Sequence, residues 1–275
     1  MTPITRRTMF AGAAALAATL PATLEAAAGA APGVTIGVAT YSLRKFPRAQ
    51  AIETLKKLNV QALSIKEFHL KYSDTAEQTA AGAKEFRDAG FKILSGGNIA
   101  LTKPEELRKM FEYAKAAGMP MMVCAPSHET LPEVEKLVKE FNIKAAIHNH
   151  GPEDKHFPSP QSVLSAVKSM DPRMGLCIDI GHTTRAKADL VASIKEAGPR
   201  LFDMHAKDLV FENGKWQQVA VGDGNIPIVE MFKTLHALKY QGGVMLEYEI
   251  NADDPYPGME RSLSYMRGVR TALGA

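Results

Sequence analysis

Eight short apolar runs recur along the chain, each followed by a stretch with helical spacing. This alternation constrains the fold more than any other feature. The runs are Thr35–Tyr41, Ala62–Glu67, Lys92–Gly96, Met121–Ala125, Lys144–His148, Gly175–Asp179, Leu201–His205 and Gly243–Glu247. Near-continuous apolar runs of this length fit strands buried on both faces of a parallel sheet. Between them, Ala51, Leu55 and Leu58 share one helical face. Thr102-Lys-Pro-Glu105 reads as a capping box opening a helix through Leu107, Phe111 and Ala114 that ends near Gly118. Ser159-Pro160 reads as a cap with proline in the first helical position. Ile228, Phe232 and Leu235 mark the next-to-last helix, and Leu263, Met266 and Val269 the last.

Eight β/α units predict an α/β protein, a closed (β/α)8 TIM barrel in a single domain. An open doubly wound sheet would carry a glycine-rich phosphate turn after its first strand. That turn is Tyr41-Ser42-Leu43-Arg44, without glycine. The barrel spans residues 32–275.

Residues 1–31 are of a different composition. Arg6-Arg7 precede an alanine-rich run from Ala11 to Leu20, and small residues follow at Ala26, Ala27, Ala28 and Ala30. A charged start, a short apolar segment and a small-residue end predict a signal peptide. The paired arginines resemble a twin-arginine export signal, which implies a periplasmic or otherwise exported protein that leaves the cytoplasm folded. The run is too short and too rich in alanine to span a bilayer, and no later stretch is apolar enough. No stable membrane insertion is expected once the signal is removed.

A net charge of only +3 gives no support to a nucleic-acid partner held by bulk electrostatics. The two cysteines, Cys124 and Cys177, lack CxxC spacing. They fall on the fourth and sixth strands, which are not neighbours, so two free thiols are expected.

Polar chemistry concentrates at one rim. Of eight histidines, His69, His128, His148, His150, His156, His182 and His205 fall at strand ends or in the loops that follow; His236 alone lies on a helix. The four late strands end Ile147-His148-Asn149-His150, Ile178-Asp179-Ile180-Gly181-His182, Met204-His205-Ala206-Lys207-Asp208 and Leu246-Glu247-Tyr248-Glu249. An ionisable group at the end of a buried strand must pair, hydrogen-bond or hold a metal. His148, Asp179, His205 and Glu247, one from each of four neighbouring strands, are the candidate ligands. Two imidazoles and two carboxylates suit one divalent transition ion, with Mn2+ first and Co2+, Zn2+ or Mg2+ as alternatives. His182 is a further ligand or a hydrogen-bond donor to substrate.

The chain resembles the xylose isomerase-like barrel superfamily, whose members are often labelled sugar phosphate isomerase/epimerase. The resemblance covers the whole predicted barrel. It is carried by Asp179-Ile-Gly-His182, His205-Ala-Lys-Asp208, Val221-Gly-Asp-Gly-Asn-Ile226 before a helix, and Leu246-Glu247. It implies a divalent metal held by Glu, Asp, His and Glu, hence by Asp179, His205 and Glu247 here. His148 stands where the first Glu would be, so the two metal-bound glutamates used by the ketose 3-epimerases are not both present. Strand 3 ends Ser95-Gly-Gly-Asn98 without histidine, unlike the trinuclear endonuclease branch.

The activity implied is that of a sugar isomerase or epimerase: proton abstraction next to a carbonyl, through an enediolate stabilised by the metal. Candidate acids and bases are Lys207, His150, His182 and Glu67; Lys207 is alternatively an oxyanion stabiliser. Asp208 is expected to orient Lys207 or a loop. Trp216, His69 and Phe68 are candidates for contact with the sugar or keto-sugar substrate. A lyase or hydratase acting by β-elimination on 3-keto sugars or glycosides shares the same first step. A non-catalytic sugar-binding barrel is the rival of another class. The sequence leaves the oligomeric state open.

Overall fold

The computed structural model describes residues 34–274; the segment predicted as a signal peptide, 1–31, lies outside them. Eight parallel strands close into a barrel: β1 (Thr35–Ala39), β2 (Ala62–Ile65), β3 (Lys92–Leu101), β4 (Met121–Pro126), β5 (Lys144–His148), β6 (Met174–Asp179), β7 (Leu201–Ala206) and β10 (Gly243–Leu246). Closure is made by β1, which pairs with β2 through Val38↔Leu63 and with β10 through Thr35↔Gly243. Helices α1 (Arg48–Lys57), α2 (Ala76–Asp88), α3 (Leu107–Ala116), α4 (Leu131–Phe141) and α5 (Pro160–Val167) follow the first five strands. Then come α6 (Ile180–Arg185), α7 (Leu190–Ala197), α8 (Ile228–Ala237) and α9 (Tyr256–Ala272). Their predicted apolar faces are buried: Ala51 and Leu55 on α1 with Leu58 just past its end, Phe232 and Leu235 on α8, Leu263 and Met266 on α9. Cys124 and Cys177 are free and buried.

The Ser159 cap forms as expected: its side chain accepts from Ser162 N, and Pro160 opens the helix. The Thr102 box does not. β3 runs on to Leu101, past its expected end at Gly96, with a register shift against β4 between Gly96 and Ile99. The chain is still extended there, Pro104–Glu106 form a 3-10 turn, and α3 begins only at Leu107 without a side-chain cap. β1 stops at Ala39, because Thr40–Leu43 tighten into a 3-10 turn.

An antiparallel hairpin, β8 (Asp208–Glu212) and β9 (Lys215–Val219), stands between β7 and α8. Its two-residue turn is Asn213-Gly214, both with positive φ, 51° and 76°, the pairing that matches strand twist in a tight hairpin. Among the described residues no helix is long and apolar enough to cross a membrane.

Candidate metal centre

His148, Asp179 and His205 lie at the carboxyl ends of β5, β6 and β7, and Glu247 follows the last residue of β10. The ladders put them level: Asp179 pairs with His205, and Glu247 N donates to Ala206 O at 2.9 Å. One ligand atom from each of the four lies within 4.8 Å of the others, and all four residues are buried. His148 Nε2 is 3.1 Å from His205 Nδ1 and 3.4 Å from Asp179 Oδ2, and His205 Nδ1 is 3.2 Å from Glu247 Oε2. Asp179 divides its oxygens. Oδ1 caps α6 by accepting from His182 N at 2.7 Å, which leaves Oδ2 turned toward the two rings. Asn149, fully buried, accepts from Asp179 N at 3.1 Å and fixes that turn.

These residues fit a divalent cation. The atoms that face one another, His148 Nε2, His205 Nδ1, Asp179 Oδ2 and Glu247 Oε2, are two imidazole nitrogens and two carboxylate oxygens, a donor set suited to a divalent transition ion. Lys207 Nζ lies 3.0 Å from Asp179 Oδ2 and 2.9 Å from Glu247 Oε2, and also contacts Glu249 Oε1. Three carboxylates thus face this one ammonium. Burial pushes His148 down to about 3, so its ring is neutral and free to ligate. Burial opposes ionisation of Asp179 and Glu247, yet the Lys207 ammonium holds both well below the usual carboxylate range. Burial likewise opposes the charge on Lys207, but Asp179, Glu247 and Glu249 raise it well above its usual value. These carboxylates favour the charged form of Lys207. Glu249 is pushed up by burial against the pull of Lys207.

Two further histidines stand beside this centre. His150 is 4.4 Å from His148 and 5.7 Å from His182, centroid to centroid. Burial lowers both His150 and His182. His150 Nδ1 faces Asp154 Oδ2 at 3.2 Å, and its Nε2 faces Asn98 Nδ2 at 2.6 Å. Lys66 Nζ donates to Asn98 O at 2.6 Å and pairs with Glu67 at 3.1 Å. Glu67 is thus tied to Lys66, and to the Tyr72 hydroxyl at 3.5 Å, on the β2 side of the rim.

His182, Lys207, Glu249, Gln218 and Trp216 line a cavity of about 550 Å³ beside the hairpin, whose Trp216 packs tilted against Phe211, ring centroids 4.9 Å apart. Phe68 is exposed and packs edge-on with Tyr41. His69 is placed differently from the expectation of substrate contact. It is buried; Nδ1 sits 3.1 Å from the Thr40 hydroxyl and Nε2 3.2 Å from Phe46 O. Both ring nitrogens are committed to the protein, where they tie the turn after β1 to the loop after β2. Asp208 orients a loop rather than Lys207. It accepts from Leu209, Gly222, Gly224 and Ile226 N, and wraps the Val221–Ile226 segment around its carboxylate.

Sequence reasoning passed over Lys66, Asn98, Asn149, Asp154 and Arg185. Asp154 carried a signal, an acid four residues beyond His150 in a Gly-Pro loop. Asn98 is brought in by the extension of β3, which its Gly-Gly sequence does not announce.

The sequence profile of the xylose isomerase-like TIM barrel matches residues 52–269. The chain belongs to this family. A curated relative, uncharacterized protein MJ1311 of Methanocaldococcus jannaschii, is 29% identical over 124 residues, 43% of this chain and 41% of that protein. The chain thus spans less than half the length of this relative. Among solved structures, the IolI protein with a bound zinc atom aligns with a TM-score of 0.73 at 15% identity, over 87% of this chain and 99% of that one. The probable 3-DHS dehydratase AsbF of Bacillus anthracis aligns at 0.71 and 13% identity, over 85% and 99%. D-psicose 3-epimerase of Clostridium cellulolyticum, solved with D-tagatose, aligns at 0.70 and 16% identity, over 86% and 99%. At these identities the three establish a shared fold.

Proposed function

We propose that the protein is a metal-dependent enzyme of the sugar isomerase/epimerase type, which removes a proton next to the carbonyl of a sugar or keto-sugar. The observation that carries this reading is the convergence of His148, Asp179, His205 and Glu247 on one point, with His150 beside it. His148, Asp179, His205 and Glu247 would hold a divalent ion, Mn2+ before Co2+, Zn2+ or Mg2+, which would supply Lewis acidity at the carbonyl. The chain does the rest. His150 Nε2 takes the proton. The Lys207 ammonium and His182 offer positive charge and a hydrogen bond where negative charge develops. Trp216 covers the open side of the cavity and lies against the sugar. Support for a sugar substrate comes from the epimerase neighbour solved with D-tagatose; support for a metal comes from the zinc-bound neighbour. The proposal includes export, to the periplasm or otherwise out of the cytoplasm, on the strength of the twin-arginine-like segment at Arg6-Arg7.

A specific observation favours a second reading, β-elimination from a 3-keto sugar or glycoside. His148 replaces the carboxylate that would complete two-faced base catalysis. Abstraction on one face followed by loss of a β-substituent needs only one base, and a dehydratase is among the structural neighbours.

Metal analysis of the purified protein, followed by NMR of candidate sugars in D2O, tests the proposal. Deuterium entering the carbon next to the carbonyl is the expected result. Exchange with the carbon skeleton intact supports isomerisation or epimerisation, and release of a β-substituent supports elimination. Protein that copurifies with no metal and exchanges no sugar would overturn both.

A further inference from the structure

We infer that one loop, Gly151–His156, locks His150 and His182 in opposite tautomers, making His150 the proton acceptor and His182 the electrophilic donor of the site. This rests on the proposed function for its catalytic meaning, but not for its geometry.

The argument is one of donors and acceptors. An ionised carboxylate only accepts hydrogen bonds, and a guanidinium only donates them. Asp154 Oδ2 lies 3.2 Å from His150 Nδ1, so that nitrogen carries the proton. With one proton on the ring, Nε2 is bare, and it faces an amide donor, Asn98 Nδ2, at 2.6 Å. His182 is held the other way round. Arg185 Nη1 lies 3.3 Å from His182 Nδ1, so that nitrogen accepts and Nε2 carries the proton.

Both locks come from the same loop. Asp154 is fixed by its other oxygen, which accepts from His156 N at 2.7 Å and Phe157 N at 2.9 Å. Its neighbour Glu153 grips Arg185. Gly151 lets the loop pass over His182: its φ is +87°, and a Cβ there would lie 3.2 Å from His182 Nδ1. Asp154 and Arg185 are therefore positioning residues, each acting through a histidine.

The consequence is a division of labour. Once substrate displaces the Asn98 amide from His150 Nε2, the lone pair on that nitrogen forms an N–H bond as the C–H bond next to the carbonyl breaks, and that electron pair moves toward the carbonyl oxygen. His182 Nε2–H donates a hydrogen bond to the oxygen on which the charge collects, without giving up its proton. A neutral imidazole in this role avoids the cost of carrying a second charge beside Lys207.

Long-range 15N–1H NMR correlations on 15N-histidine protein loaded with Zn2+, a diamagnetic ion, read each tautomer directly. His150→Gln and His182→Gln assign the signals. His150 should be protonated on Nδ1 and His182 on Nε2. Asp154→Asn keeps Oδ1 for the loop but puts an NH2 opposite His150, so His150 should invert while His182 does not. With a sugar that exchanges deuterium, Asp154→Asn and Arg185→Met should each lose about 10²-fold or more in kcat with KM little changed, and Asp154→Glu should recover part of the loss. The same tautomer on both rings, or no inversion in Asp154→Asn, would overturn the inference. A rise in KM with kcat intact would overturn the two catalytic roles. Correct tautomers with no exchange in any sugar would count against the proposed function while leaving the tautomer lock standing.

Discussion

Lys207 Nζ lies 3.0 Å from Asp179 Oδ2, a lysine cation seated against a candidate metal ligand in the buried heart of the rim. A lysine there works against a nearby divalent ion by charge, yet it neutralises carboxylates that would otherwise repel one another. The two effects separate on substitution. Lys207→Met should keep the metal and bind Mn2+ at least as tightly as the unmodified protein, measured by titration calorimetry. Deuterium exchange into the sugar should fall by about 10²–10⁴-fold, as expected when a group that stabilises charge in the transition state is removed. Loss of metal from this variant would show that Lys207 organises the ligands rather than the reaction.

A pH dependence follows from His69. Burial lowers its pKa to about 4, from 6.5 in the unfolded chain. Between these values the unfolded state binds the extra proton, so stability is full above about 6.5, falls as the pH drops toward about 4, and levels off below. A shift of this size corresponds to about 3 kcal/mol. Urea unfolding at pH 7 and pH 4 should show a drop larger by roughly that amount in the unmodified protein than in His69→Gln. Equal pH dependence of the two would mean that His69 is not held neutral by its burial.

The barrel was legible because eight buried strands leave eight apolar runs, and the turn after the first of them, Tyr41-Ser42-Leu43-Arg44, lacks the glycines usual in a nucleotide-binding doubly wound sheet. The candidate ligand cluster was legible for the same reason. An ionisable residue ending an apolar strand, such as Asp179 or Glu247, is visible as a break in hydropathy. Residues that act through loops left no such break. Asp154 reaches His150 because an Asx-type turn folds it back, and Asn98 because β3 continues past Gly96. His69 looked like a rim histidine, but the 3-10 turn at Thr40–Leu43 closes over it. The hairpin did carry its signal, Asn213-Gly214 between Phe211 and Trp216, whose outward faces are too polar to read as buried strands.

The export proposal rests on Arg6-Arg7 ahead of the alanine-rich run and the small residues near Ala28. Replacing both arginines by lysine should leave precursor in the cytoplasm, seen as an uncleaved band on fractionation. Unchanged appearance of the mature protein outside the cytoplasm would rule out the twin-arginine route.

The ligand set makes the sharpest prediction, because its four members differ in what they leave behind. Asp179→Asn and Glu247→Gln keep the shape of the side chain but remove an anionic ligand, and each leaves Lys207 with one carboxylate fewer. Both should purify with much less metal and without measurable exchange. His148 contributes a neutral nitrogen at the edge of the set, and water can take its place in the coordination sphere. His148→Ala should therefore weaken binding less than either carboxylate variant, and added Mn2+ should restore part of the exchange. Because burial of an uncompensated group is itself destabilising, each variant is compared at equal folded fraction by circular dichroism. Full metal occupancy in both carboxylate variants would place the ion elsewhere, and the roles given to Asp179 and Glu247 would fall with it.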